Sequence, residues 1–78
     1  MDIVQMQSVA SSQIKEIGYD PETQKLRVCF LDKRGGDGSI YEYSGVEQGV
    51  YDALMSAESV GRTFAASVKW SYPYQKIG

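Results

Sequence analysis

The chain contains no histidine. That absence removes the commonest general base and the commonest metal ligand at neutral pH. It also excludes Ser-His-Asp and Cys-His nucleophilic arrangements. Cys29 is the single cysteine, so no intrachain disulfide can form, and a zinc site built from Cys and His is excluded. Cys29 lies inside the apolar run Val28 to Leu31 and reads as a small buried hydrophobe rather than a reactive thiol. No apolar run approaches the roughly 18 residues of a membrane-spanning helix. No arginine-flanked apolar leader opens the chain. The expectation is a soluble, cytoplasmic protein in a reducing compartment, with no cofactor, no metal and no membrane partner.

What is present is a short chain of 78 residues. One domain of this size buries only about 60–65% of the surface its unfolded form exposes. There is room for a small sheet and one or two helices, and little for a deep active site. The formal net charge is −2, too small for a strong global field toward nucleic acid. The charge is unevenly spread. Residues 1–58 carry five Lys/Arg and ten Asp/Glu, whereas residues 59–78 carry Arg62, Lys69 and Lys76 and no acid. An acidic body with a basic C-terminal face follows from that distribution.

Residues 1–10 read as an N-terminal arm or edge strand, with Ile3, Met6 and Val9 as its apolar positions. "SSQIKEIGY" (Ser11 to Tyr19) reads as a strand of imperfect alternation, in which a bulge near Glu16 brings Ile14 and Ile17 to one side. "DPETQ" (Asp20 to Gln24) is a turn, its proline pre-setting φ and its aspartate able to bond nearby backbone. "KLRVCFLD" (Lys25 to Asp32) is the clearest strand. Leu26, Val28 and Phe30 face the core, and Cys29 and Leu31 make the second face partly apolar, as in a central strand. "KRGGDG" (Lys33 to Gly38) is a long hairpin loop, and Ser39 to Tyr43 returns as the next strand. Ser44 and Glu47 have capping-box spacing. They predict a helix with Val46, Val50, Ala53, Leu54 and Ala57 as its stripe. Ser59 can cap a second helix over Val60 to Trp70, with a stripe of Val60, Phe64, Ala65 and Val68. Pro73 ends helix there and leaves "SYPYQKIG" as an extended tail. The fold class is therefore α+β: an antiparallel meander of three to four strands followed by two short helices packed on one face of the sheet.

Chemistry is scarce. Asp20, Glu22, Asp32 and Asp37 lie in turns, where acids are ordinarily solvated. "KRGGDGS" lacks the order of a phosphate-binding loop, because its lysine precedes the glycines and a strand follows them. Lys33 and Arg34 could still touch a phosphate from an exposed loop tip. The aromatics carry more information. Tyr41 and Tyr43 share one face of their strand, and Tyr72 and Tyr74 share one face of the tail. Trp70 precedes them, and Lys69 and Lys76 bracket them. Bases stack on such rings. In a small domain tyrosines also fill the core and keep their hydroxyls at its rim, and for Tyr41 and Tyr43 that reading is preferred.

"SSQIKEIGYDPETQKLRVCF", "IYEYSGV", "VYDAL", the Ser59-Val60-Gly61 triplet and "YPYQKI" together resemble the KTSC domain, a short bacterial and phage domain named for the C-terminus of some lysyl-tRNA synthetases. The resemblance runs from Ser11 to Ile77 and assigns residues 11–78 to a KTSC-like domain. It implies a small binding domain with no catalytic activity, and RNA is the suggested ligand. Two departures stand out: a longer hairpin before Tyr41-Glu42-Tyr43, and Glu47 where family members usually carry proline. The expected RNA surface comprises Tyr41, Tyr43, Arg62, Lys69, Trp70, Tyr72, Tyr74 and Lys76, with Lys33 and Arg34 at the hairpin tip. The alternative is a protein-interaction module, either a phage-type modulator of a host protein or a self-associating domain.

Overall fold

The alternation of Leu26, Val28 and Phe30 builds the middle of the molecule. The computed structural model describes residues 6–9, 11–34 and 36–78, Asp37 by its backbone alone. Within them the elements are β1 (Met6–Ser8), β2 (Ile14–Asp20), β3 (Lys25–Leu31), β4 (Asp37–Tyr43), α1 (Gln48–Ser56), α2 (Val60–Ser67) and β5 (Tyr74–Lys76). The strands form one antiparallel sheet in the order β1-β2-β3-β4-β5. This is the expected α+β fold, with five strands rather than three or four. The extra pairings come from both ends. The N-terminal arm lies on β2 through Met6↔Gly18 and Ser8↔Glu16, and the tail lies on β4 through Tyr43↔Tyr74 and Tyr41↔Lys76. Ile3 lies outside the described residues.

The β2–β3 register shifts between Ile14 and Glu16, the expected bulge, and both Ile14 and Ile17 are buried as a result. β3 is central. It puts Leu26 and Val28 in the core and Cys29 on the other face, also buried, its thiol 3.7 Å from the Phe30 carbonyl oxygen. The turn before β3 is held by the Asp20 carboxylate, which accepts from the Glu22 N–H at 3.0 Å. Gln24 closes that turn at φ 57, a left-handed conformation unusual for a residue with a Cβ.

Both helices pack on the same face as Leu26 and Val28, so Leu54, Val60, Phe64 and Val68 share one core with Ile14, Ile17, Tyr43 and Val46. The helix limits differ from the expectation. α1 starts at Gln48 with Glu47 as its N-cap, and no side chain bonds the cap. Ser44 lies a turn too early. Its N–H donates to the Pro73 carbonyl, Gly45 turns at φ 75, and the Val46 N–H donates to the Gln24 carbonyl. These bonds hold residues 44–46 as a loop on the sheet. α2 is capped by Ser59, whose hydroxyl accepts from the Arg62 N–H, as its position predicts. It ends at Ser67 rather than Trp70. There the Lys69 N–H reaches back to the Phe64 carbonyl and Ser71 bonds Val68, which makes a turn over residues 68–71.

The hairpin loop is shorter than its glycine content suggests. β4 begins at Asp37 because the Asp32 Oδ1 accepts from the N–H groups of Arg34 and Gly36 at 2.8 and 2.7 Å. One carboxylate thus closes the reversal. Gly38 is required there: a Cβ would stand 2.6 Å from the Phe30 carbonyl oxygen.

Candidate functional site

Trp70 is 80% exposed, and its position explains why. The α2 stripe is Val60, Phe64 and Val68, one residue per turn, all buried. Trp70 lies past the last residue of α2, in the turn over residues 68–71, where no helix face carries its ring back onto the core. Trp70 therefore stands out from the turn, with the Lys69 ammonium 5.1 Å from its ring centre, a cation–π contact.

The ring does not stand alone. A groove of about 570 Å³ runs between this turn and the β3–β4 hairpin. Lys69 and Trp70 line one side, Asp32, Lys33 and Ser39 the other, and Tyr41, Tyr43 and Tyr74 lie along β4 and β5 between them. Its aromatic base is continuous. Phe64 meets Phe30 at 5.7 Å between ring centres, Phe30 meets Tyr41 at 5.6 Å, and Tyr41 meets Tyr74 at 5.6 Å. Tyr74 then meets Tyr43 at 5.4 Å, and Tyr43 returns to Phe64 at 5.4 Å. Five rings close a cycle with edge-on and tilted geometry, the arrangement aromatic quadrupoles favour. The cycle spans the boundary of the molecule: Tyr43 is 2% exposed and Tyr74 56%.

Six of the ten residues expected at a binding surface meet in this groove: Lys33, Tyr41, Tyr43, Lys69, Trp70 and Tyr74. Tyr43 is a core residue whose ring face is covered by Phe64 and Tyr74; burial, with the neighbouring Tyr74 and Tyr41, pushes its hydroxyl pKa up. Tyr41 is half-buried against the core. Core filling, the preferred reading of this pair, thus describes Tyr43 and most of Tyr41. Tyr72 is half-buried and packed on the core, outside the groove lining. Lys76 is exposed and pairs in register with Tyr41, so it shares the face of Tyr41 and Tyr74. Arg34 is exposed in the hairpin turn outside the groove lining. Arg62 lies apart, in a polar depression with Ser11, Ser59 and Glu58. Sequence reasoning did not assign Asp32 and Ser39 to the site. The signal for Asp32 was the two-residue spacing to Arg34 and the glycines beyond, which marks an acid that organises a turn.

The far face of the sheet carries a different chemistry. Arg27 and Glu42 are register partners, and the Arg27 Nε donates to Glu42 Oε2 at 2.8 Å. The Lys25 Nζ lies 3.6 Å from the other carboxylate oxygen. Glu42 is 5% exposed. The Arg27 hydrogen bond holds its carboxyl below the ordinary carboxylate range; burial opposes this, and the Arg27 and Lys25 charges add to it. These three groups are mutually satisfied. Among the described residues, no three carboxylates or thiols converge to hold a metal ion, and no helix is long and apolar enough to cross a membrane.

A family model described as the KTSC domain matches residues 10–72. The chain belongs to the KTSC domain family. A crystal structure of a KTSC domain protein from Yersinia pestis is similar with a TM-score of 0.85 and 38% identity, covering 97% of this chain and 100% of that one. An uncharacterized protein of Stutzerimonas stutzeri is 40% identical over 71 residues, 90% of this chain and 93% of its own length. A protein of Tsukamurella paurometabola is 42% identical over 64 residues, 82% of this chain and 88% of its own. Within this KTSC domain, the residues that carry the resemblance have structural work. Tyr43 anchors the core and Glu42 the opposite ion network. Ser59 caps α2, Val60 is buried, and Gly61 lies where a Cβ would stand 3.0 Å from Ser11 Oγ.

Proposed function

We propose that this KTSC domain is a non-catalytic binding module that holds single-stranded RNA in the groove between the β3–β4 hairpin and the turn after α2. The observation that carries the reading is the exposure of Trp70 and Tyr74 in a groove that also holds Lys33 and Lys69. An exposed ring of this size, already paired with a cation, offers a stacking platform, and base–aromatic stacking is worth about 1–3 kcal/mol per base. Lys33, Lys69 and the adjacent Lys76 supply phosphate contacts on the same face. Charge complementarity is local, because the chain as a whole has a net charge of −2; contact, rather than long-range steering, must provide the affinity.

The test uses the protein's own reporter, since Trp70 is its only tryptophan. Titration with single-stranded RNA oligomers at low salt should quench or shift Trp70 emission saturably, and Trp70→Ala, followed with labelled RNA, should weaken binding about 5- to 150-fold. Phosphate contacts are strongest at low salt, so undetectable binding there ends the reading. A pull-down whose partners survive nuclease treatment would favour a protein-interaction module instead.

A further inference from the structure

The groove contains an acid, and an RNA-binding groove built for charge alone would not. Asp32 lines it beside Lys33 and Ser39. This carboxylate is fixed: its Oδ1 accepts from the Arg34 N–H at 2.8 Å and the Gly36 N–H at 2.7 Å. Its Oδ2 accepts no hydrogen bond from the described residues. An ionised carboxylate only accepts hydrogen bonds. Lining the same groove as Trp70 and Tyr74, on its opposite side from Trp70, it is suited to a base whose edge donates.

Resting on the groove-binding reading, we infer that the groove selects among bases through Asp32, preferring one that carries an exocyclic amino group, guanine foremost, over uracil. In single-stranded RNA the unstacked base offers its Watson–Crick edge to side chains. Guanine presents two adjacent donors there, N1–H and the N2 amino group. Uracil flanks its single N–H with two carbonyl oxygens, which a carboxylate repels. Lys33 and Lys69 contact the strand without regard to sequence, so discrimination falls to Asp32.

The experiment compares an eleven-nucleotide uridine oligomer with the same oligomer carrying one central guanosine, both read by Trp70 emission at low salt. The guanosine oligomer should bind about 5- to 100-fold more tightly, the range a good base-edge contact provides. A central inosine, which lacks the N2 amino group, should lose much of that gain with no change to the protein. Asp32→Asn keeps an Oδ1 acceptor for the two backbone donors, so the hairpin should persist. It should bring the two oligomers within about twofold of each other, with all-uridine RNA bound more tightly than by the wild type because a repelling charge is gone. Equal affinity of wild-type protein for both oligomers, or discrimination that survives in Asp32→Asn, overturns the inference. Binding of neither oligomer overturns the groove-binding reading, and the inference with it.

Discussion

Glu42 and Tyr19 each have a pKa that the fold shifts through identified hydrogen-bond partners and neighbours. Glu42 has a folded-state pKa below its unfolded one. Its ion pairing therefore stabilises the fold above the ordinary carboxylate range of about 4.3 and is lost as pH falls through the lower folded value. Wild-type melting temperature should drop between about pH 5 and pH 3, and Glu42→Gln should show a shallower acid limb and lower stability at neutral pH. Tyr19 behaves in the opposite sense. Its hydroxyl donates to the Val46 carbonyl at 2.6 Å and its ring stacks on Tyr51 at 4.8 Å. Burial, then the charges of Asp52, Asp20 and Glu47, raises its pKa. The folded state favours the neutral phenol, so that stability is intact below about pH 10 and is lost as pH rises beyond it. Tyr19→Phe should cost about 1–2 kcal/mol at neutral pH, because the Val46 carbonyl loses its donor. It should also flatten the alkaline limb of a pH–melting curve.

At the scale of elements, each helix is held by few side chains. Leu54 is the only buried residue of α1 and is 1% exposed. Leu54→Ala should cost about 2–5 kcal/mol, measured by urea unfolding, and should release α1 while the sheet persists. Gly38→Ala should open the β3–β4 hairpin, since the atom it strikes is backbone and cannot swing aside; increased amide exchange at Phe30 to Asp32 is the readout. The long strands were legible because period-two alternation in "KLRVCFL" survives in the packing, and the Ile14–Ile17 bulge was legible because no regular strand could bury both. The α1 start was not. The Ser44–Glu47 spacing is a local signal, and two long-range hydrogen bonds, to Gln24 and Pro73, override it. β5 is three exposed residues, too short to announce itself by pattern; it forms because β4 leaves an edge open beside it. The groove was half legible. Its aromatics and lysines stand out by composition, whereas Asp32 and Ser39 join only when the hairpin folds over.

For the whole molecule, the separation of binding from stability is the main expectation. Trp70 adds little to the core, so Trp70→Ala should change stability by no more than about 0.5 kcal/mol, a melting shift of at most about 4 °C for a domain of this size, while RNA affinity falls. Each lysine in or beside the groove that meets a phosphate contributes about 0.7 to the slope of log affinity against log salt for single strands. Lys69→Ala and Lys76→Ala should each reduce that slope by about this amount, measured by titration across salt concentrations. Arg62→Ala, on the separate depression, should leave it unchanged.

The β5 pairing also carries a consequence in time. Strands β1 to β4 join neighbours through short reversals, but Tyr43 meets Tyr74 only after both helices have been traversed. Distant pairings of this kind pay their loop-closure entropy before any contact rewards it. The aromatic cycle stays open until Tyr74 arrives, so during refolding the meander should gain its amide protection first and the ligand-binding surface should mature last.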